Sequence, residues 1–272
     1  MDQKEIERLI KTGRDFCRMP KEDPEYQSDQ ELKKPQPSLF KEPMRKEYRK
    51  LPTDFSKLKI ENDFLKIING RSSHRVYTSE PLELLELSYL LWCSQGVKEI
   101  RGKAYASIRT VPCGGARHEF ECYLAVQKVT GLADGLYHYL PQYHGLEYLK
   151  AVDDLPDLIS RSLGGQDWAA KANVVFYYSY VPYRSEWRYG IYSHRVVLID
   201  AGHITENVYL SATSINLGAC ALGYIDEEVA DKAFELDGKE EFIFYACPVG
   251  KISAKDRPKE DDFYAFVNQE NL

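Results

Sequence analysis

The longest regular pattern of hydrophobic positions lies between residues 197 and 215. Apolar side chains recur there at intervals of three and four, which predicts a helix of about five or more turns. The apolar positions are Val197, Ala201, Ile204, Val208, Ala212 and Ile215. A second, polar stripe runs along the same helix at Asp200, His203, Asn207, Ser211 and Ser214. The pattern therefore predicts one long helix that carries two different faces.

Shorter helical patterns precede and follow this element. One begins at Phe64 and runs toward the GRSSHRVY segment, so it predicts a helix that reaches this basic stretch. Another opens at Pro81 and stops before Gly96, because proline favours the first helical position and glycine the residue after the last turn. A last helix is predicted over 227–234.

Aromatic and β-branched runs in the middle of the chain predict strands. Residues 135–140 and 145–150 read as a hairpin, and further strands are predicted over 121–127, 173–181 and 241–250. The order is helices, strands, helix and strand, without regular alternation of strand and helix. This order predicts an α+β fold and disfavours a dinucleotide-binding fold.

The first 60 residues differ from the rest of the chain. They contain six of the 13 prolines. A helical pattern over 1–16 is followed by a proline-stiffened stretch that reads as extended chain as far as Pro52. We expect an N-terminal helical and proline-rich extension over 1–60, which lies across the domain surface or is partly disordered, and a second domain over 61–272.

Composition narrows the class of protein. The chain has 272 residues, 43% hydrophobic and 29% charged, which is typical of a soluble globular protein. Its net charge of -6 disfavours nucleic-acid binding. No apolar stretch approaches the roughly 20 residues that cross a bilayer, and the charged N-terminus lacks a secretory signal, so no membrane contact is predicted. Six cysteines without C-x-x-C spacing predict reduced thiols and a cytoplasmic location, and the histidine spacing predicts no metal site.

Three short segments carry candidate chemistry. Arg71 and Arg75 flank Ser72 and are four residues apart, so both guanidinium groups can share one helical face and suit a phosphate. A solvated basic helix end is the alternative for this segment. Adjacent glycines in the turn at 112–115 let a flat ligand approach the backbone, although an ordinary glycine turn also has this sequence.

The third segment is Trp187, Arg188 and Tyr189. A tyrosine beside a cation has a lowered phenol pKa and can act as an acid or base, although packing is the default role in a chain with 20 tyrosines.

In this order the segments resemble the nitroreductase superfamily, and more narrowly its SagB-type dehydrogenase branch, which includes thiazoline and oxazoline oxidases. The matching residues are R-S-S-x-R from 71, PCGGARH from 112, GLYHY from 135, DAGHxxxNxYLxA from 200, LGAC from 217 and PVGK from 248. The resemblance covers about 62–251. It implies a nitroreductase-like fold, with a mostly antiparallel central sheet flanked by helices, in an intertwined homodimer that binds FMN.

The resemblance also implies roles for individual residues. Arg71, Ser73 and Arg75 match positions that hold the flavin phosphate and ribityl chain, Ser72 stands where a second arginine is common, and Lys251 is a further phosphate candidate. Residues that approach the flavin ring follow from the same comparison. These are the turn Pro112, Cys113, Gly114 and Gly115, which crosses toward the partner's flavin, together with Asp200, Ala221, Leu222 and Gly223.

Tyr189 is the implied acid or base. The family branch places a Lys-Tyr pair after a tryptophan, whereas this chain has Arg188, which stays protonated and assists Tyr189 only electrostatically. The reading is an FMN-dependent oxidoreductase, with NAD(P)H as a candidate electron donor, that transfers hydride by a ping-pong route at flavin N5 to or from a small organic substrate. The alternatives are a SagB-type peptide azoline dehydrogenase and a flavin-binding protein without turnover.

Overall fold

The computed structural model describes residues 1–18 and 23–270, so residues 19–22 of the predicted extended stretch lie outside the described residues. The helices are α1 (Gln3–Phe16), α2 (Phe64–Gly70), α3 (Leu84–Gln95), α4 (Leu155–Ser162), α5 (Pro182–Tyr189), α6 (Ser193–Ser214), α7 (Glu227–Phe234), α8 (Arg257–Asp262) and α9 (Ala265–Gln269). The strands are β1 (Arg49–Lys50), β2 (Val97–Arg101), β3 (Ala106–Arg109), β4 (Phe120–Val126), β5 (Gly135–Leu140), β6 (Gly145–Lys150), β7 (Val174–Tyr180), β8 (Leu217–Ala219) and β9 (Phe242–Lys251).

A seven-stranded sheet forms the centre, in the order β1-β6-β5-β4-β7-β9-β8, and its neighbouring strands pair antiparallel. Every residue of β4 and β7 is buried, so both faces of the sheet are covered. Cys122 and Leu124 pack into one hydrophobic cluster with α3 and α6, whereas Tyr123 and Ala125 pack into another with α4 and α7. The predicted antiparallel sheet flanked by helices is confirmed.

The long amphipathic helix is also confirmed, as α6. The six apolar positions of its predicted stripe are buried against the sheet. Of the polar stripe, Asp200, Ser211 and Ser214 are buried too. The helix therefore presents polar groups to the interior. Because a buried carboxylate needs hydrogen-bonding partners, Asp200 either has a functional role or forms specific hydrogen bonds within the fold.

The predicted helix start at Pro81 is wrong, because α3 begins three residues later at Leu84. Leu82 is held in extended chain: its N–H donates to the Lys128 carbonyl, and its own carbonyl accepts from the Thr130 N–H. The helix then starts where the Glu86 carboxylate accepts the N–H of Glu83 at 2.8 Å. The end of the helix before Gly96 is confirmed.

The prediction that Arg71 and Arg75 share a helical face is also wrong. Helix α2 ends at Gly70, and the following residues are extended because Ser73 forms a parallel bridge with Ala219. The N–H of His74 donates to the Ala219 carbonyl at 2.9 Å, which fixes this pairing. The basic segment therefore begins at the C-terminal end of α2, where Arg71 is the capping residue, and continues as extended chain beside β8.

Residues 23–52, which we call the N-terminal strap, cross the domain and end in β1 at the sheet edge. Buried carboxylates anchor the strap. The backbone N–H of Lys41 donates to Glu121 at 3.0 Å, and those of Met44 and Arg45 donate to Glu147 at 3.0 and 2.6 Å. The strap thus adds a strand to the sheet, while the domain boundary at residue 60 stays a prediction. Across the described ranges, every helix is too short or too polar to span a bilayer.

Candidate active site

Tyr209 on α6 organises the first group of predicted site residues. Its hydroxyl oxygen accepts the N–H of Ala221 at 2.7 Å and lies 3.2 Å from the hydroxyl of Ser73. The guanidinium carbon of Arg71 lies 5.5 Å from the centre of the Tyr209 ring. The fold therefore brings together Arg71, Ser73 and Ala221, which are far apart in sequence.

Arg75 extends this group. Its guanidinium lies within 6 Å of the rings of Trp168, Phe263 and Tyr264, and it donates to the Tyr264 hydroxyl at 3.0 Å. Within residues 1–18 and 23–270, neither Arg71 nor Arg75 forms an ion pair with a carboxylate. The Glu260 carboxylate accepts the backbone N–H of Arg75 at 2.8 Å and leaves both guanidinium groups without an ion pair in the described part of the chain. These two guanidinium groups and a serine hydroxyl are a donor set that fits a phosphate.

Other predicted site residues form bonds within the chain. The hydroxyl of Ser72 lies 3.0 Å from His74 Nε2, and the Lys251 ammonium donates to Glu86 at 2.6 Å, so its charge is compensated within the chain. The N–H of Ala221 is taken by Tyr209, and Leu222 forms a backbone bridge with Ala246.

The second group surrounds the turn at 112–115. Gly115 has φ of +56°, and a Cβ there would lie 2.6 Å from both the Tyr189 hydroxyl and Arg188 Nε. The turn therefore needs glycine for its conformation and for its close approach to α5. Pro112 is exposed at the start of this turn.

A ring of hydrogen-bonding groups fixes the turn from behind. The N–H of Gly114 donates to Asp200 at 2.8 Å, and the thiol of Cys113 donates to Glu119 at 3.2 Å. Burial, then the nearby Asp200 charge, raises the pKa of Glu119 to about 7, so this carboxyl retains its proton more readily than an exposed one. Sequence reasoning missed Glu119, because nothing in its spacing links it to Asp200.

The donor atoms of Cys113, Glu119 and Asp200 lie within 4.8 Å of one another, close enough to hold a metal ion. A metal would need the thiolate form of Cys113, yet burial followed by the charges of Glu119 and Asp200 raises the pKa of this thiol strongly. The hydrogen-bonded ring therefore accounts for the cluster better than a cation does.

Arg188 contacts a residue that sequence reasoning missed. Its Nη1 donates to the hydroxyl of Tyr105 at 2.6 Å, while its guanidinium carbon stays 5.5 Å from the centre of the Tyr189 ring. Tyr105 lies between β2 and β3, a hairpin that was not predicted. The expected assistance from Arg188 thus reaches Tyr105 by a direct hydrogen bond and Tyr189 only through its ring face.

The N-terminal strap holds α5 in place. The N–H of Gln30 donates to the Trp187 carbonyl at 2.8 Å, and the Trp187 indole donates to the Lys34 carbonyl at 3.0 Å. The hydroxyl of Tyr26 accepts the N–H of Ile191 at 3.1 Å, just beyond the end of the helix. The strap therefore positions both ends of the segment that carries Arg188.

The two groups lie on different sides of α6. Asp200 belongs to the second group and Tyr209 to the first, and they are nine positions apart. This spacing corresponds to about 2.5 turns, or about 13 Å along the axis, and places the side chains on opposite faces. One chain therefore separates the two halves of the predicted site.

Two known proteins are similar to this chain in sequence. MJ1384 of Methanocaldococcus jannaschii, which carries a nitroreductase name, is 33% identical over 199 residues, covering 73% of this chain and 93% of the relative. The trifolitoxin-processing protein TfxB of Rhizobium leguminosarum bv. trifolii is 30% identical over 138 residues, which span 47% of this chain and 36% of TfxB.

A solved structure described as a nitroreductase, from Ralstonia eutropha, shares the fold with a TM-score of 0.58 at 23% identity, over 79% of this chain and 99% of that one. The Nitroreductase family model matches residues 68–251, which include the members of both groups that the sequence predicted. The resemblance in the motifs is thereby confirmed: this chain belongs to the nitroreductase family.

Proposed function

We propose that this protein is an FMN-dependent oxidoreductase that works as a homodimer. The separation of the two residue groups by α6 carries the proposal. Arg71, Ser73 and Arg75 form a cradle for a phosphate, whereas the turn with Gly115 and Tyr189 faces away from that cradle. A second copy of the chain, related by a two-fold axis, supplies the missing half to each site.

The residues fit FMN in their donor chemistry. Arg71 and Arg75 would neutralise the phosphate, and the Ser73 hydroxyl would donate to it or to the ribityl chain. Gly115 lets the backbone approach a flat ring. In the 221–223 segment, the backbone groups of Ala221 and Leu222 are bonded within the chain as described above, so Gly223 is the residue whose backbone would contact the ring. Bound FMN would supply hydride transfer, while the chain orients the substrate and moves its proton.

Flavin binding is the first test. The purified protein should show the visible absorption bands of oxidised flavin and release FMN on heating. Arg71→Ala should weaken FMN binding about 10-fold or more, since a hydrogen bond to a charged group contributes about 1.5–3 kcal/mol. Arg161→Ala is the control, because Arg161 is exposed and pairs with Asp157 on α4. A wild-type protein that neither retains nor rebinds FMN would overturn the proposal.

Mixing two damaged chains tests the shared site. Arg71→Ala damages one half of the site and Gly115→Val the other, so without added FMN each variant alone should lose most of its activity in NAD(P)H-driven reduction of an acceptor. A hybrid dimer contains one site with both halves intact, and random exchange should restore about a quarter of wild-type activity per chain. If the mixture stays inactive although hybrids are detected by mass spectrometry, each site belongs to a single chain.

Peptide azoline oxidation is the second candidate. The similarity to TfxB, which is named as a toxin-processing protein, favours a peptide substrate. Arg188 weighs against this chemistry, because a guanidinium does not act as a base. Incubating the flavin-loaded protein with a thiazoline peptide tests it: thiazole formation supports this candidate, and an unchanged peptide beside active NAD(P)H oxidation excludes it.

A further inference from the structure

Tyr105 occupies an unusual position in the hairpin between β2 and β3. Its hydroxyl oxygen accepts two hydrogen bonds, from Arg188 Nη1 at 2.6 Å and from Gln30 Nε2 at 2.9 Å. A phenol oxygen has acceptor capacity for these donors and one proton of its own to give. Because both protein groups donate to the oxygen, the phenol proton must point to another acceptor.

The surroundings of Tyr105 are positively charged. Arg117 lies with its guanidinium carbon 5.0 Å from the ring centre and donates to the backbone carbonyl of Tyr105 at 2.7 Å. Arg188 approaches from α5, Gln30 from the N-terminal strap, and Lys103 is in the same turn. The side chain is 42% exposed, so a small molecule can reach its hydroxyl.

We propose that Tyr105 is a proton-transfer residue of this active site, activated by Arg188 and by Gln30 of the N-terminal strap. This inference rests on the proposed oxidoreductase function. Bound FMN would take the hydride of a substrate that is oxidised, and the ionised Tyr105 oxygen would take the accompanying proton and become the neutral phenol. When a substrate is reduced, the neutral Tyr105 hydroxyl would give that proton back and become ionised, so atoms and charge balance.

The electrostatics support the geometry. Burial acts to raise the pKa of Tyr105, but the hydrogen bond from Gln30 and the charges of Arg188 and Arg117 outweigh it and lower the pKa below its ordinary value. Burial has the opposite outcome at Tyr177, where desolvation raises the pKa of the phenol well above its ordinary value.

The location also suits the role. Tyr105 and Tyr189 flank the same guanidinium, and the Tyr189 hydroxyl adjoins Gly115 in the turn that approaches the flavin in the proposed dimer. Arg188 therefore contacts two phenols, Tyr105 through a hydrogen bond and Tyr189 through its ring face.

Ionisation of Tyr105 is measured first, in the full-length protein as purified. NMR of protein labelled with ¹³C at tyrosine Cζ follows each phenol through a pH titration, and Tyr105→Phe identifies its signal. A signal that is lost in Tyr105→Phe, retained in Tyr143→Phe and shifted to higher pH in Gln30→Ala supports the inference. A Tyr105 signal that titrates at or above pH 10, the ordinary range for tyrosine, overturns it.

Turnover then separates a chemical role from a structural one. Tyr105→Phe should lower kcat about 100-fold or more with little change in KM, and it should abolish the lower limb of the pH–rate profile. Gln30→Ala should shift that limb upward in pH with a smaller loss of kcat. Unchanged kcat and an unchanged profile in Tyr105→Phe would overturn the inference even if FMN is bound, whereas loss of FMN binding in the wild type is the separate failure of the proposed function.

Discussion

Glu147 is the carboxylate on which the N-terminal strap depends, and replacing it tests how the strap is held. Its side chain is fully buried on β6. One oxygen accepts from the N–H of Met44 and from His138 Nδ1, and the other accepts from the N–H of Arg45. Glu147→Ala would remove all three acceptor contacts and leave His138 buried beside two partly buried backbone N–H groups.

The expected cost follows from these contacts. Removing one partner of a buried ion pair destabilises a protein by about 3–5 kcal/mol, because the other partner remains desolvated. His138 is fully buried and also faces Glu121 at 3.6 Å, so it keeps one weaker partner after the substitution. We therefore expect Glu147→Ala to lower the free energy of unfolding by about 3 kcal/mol, at the lower end of that range.

Urea unfolding at constant pH measures this loss, and Glu47→Ala is the control because Glu47 is exposed in the same strap. Exposed substitutions of this kind change stability by about 0.5 kcal/mol or less. Hydrogen exchange adds a local readout: the amides of Met44 and Arg45 should lose protection first. A loss below about 1 kcal/mol, with both amides still protected, would refute the view that Glu147 anchors the strap.

The remaining predictions concern the turn and the pH dependence of stability. Gly115→Ala and Gly165→Ala both place an alanine at positive φ, which alone costs about 1 kcal/mol. Only the Cβ at residue 115 also overlaps α5, so Gly115→Ala should lower the free energy of unfolding more than Gly165→Ala and should lower turnover, as urea unfolding and steady-state assays would show. Burial lowers the pKa of His138, but hydrogen bonds and charges from Glu121 and Glu147 outweigh burial and raise the pKa in the folded protein. Protonated His138 therefore stabilises the fold below about pH 6.5, and this contribution is lost as the pH rises through the folded-state pKa. His138→Gln should remove that decline in a series of urea titrations. The pKa of Glu119 is raised to about 7, so the contribution of its protonated form to the free energy of unfolding decreases between about pH 4.5 and 7. Glu119→Gln should make the free energy of unfolding less dependent on pH in this range.

Local patterns predicted the elements whose burial depends on their own periodicity. Helix α6 was found from its repeated apolar positions, and the hairpin of β5 and β6 from its turn and alternation. Each of these patterns arises because one side of the helix or strand is buried along its whole length. The α+β class followed from the order of strands and helices, whereas the antiparallel sheet was implied by the family resemblance of the ordered motifs.

Elements fixed by distant partners were not predictable from local pattern. The segment of Arg71 is extended because Ser73 pairs with Ala219, and α3 starts late because Leu82 pairs with Lys128 and Thr130. Glu119 and Tyr105 were missed for the same reason: their importance comes from Asp200 and Arg188, which reach them only through the fold. Residue type alone does not distinguish such side chains from others of their kind.

The range matched by the family model and the N-terminal strap contribute different residues to the candidate site. Residues 68–251 contain Arg71, Ser73, Arg75 and the glycine turn, which would hold the cofactor in the proposed function. The strap lies before this range, yet Gln30 contacts both Trp187 and Tyr105. In the proposed function, a segment outside the matched range would thus orient the residues that exchange a proton with the substrate. Differences in substrate between this protein and its relatives should therefore arise more from the strap and from Tyr105 than from the cradle.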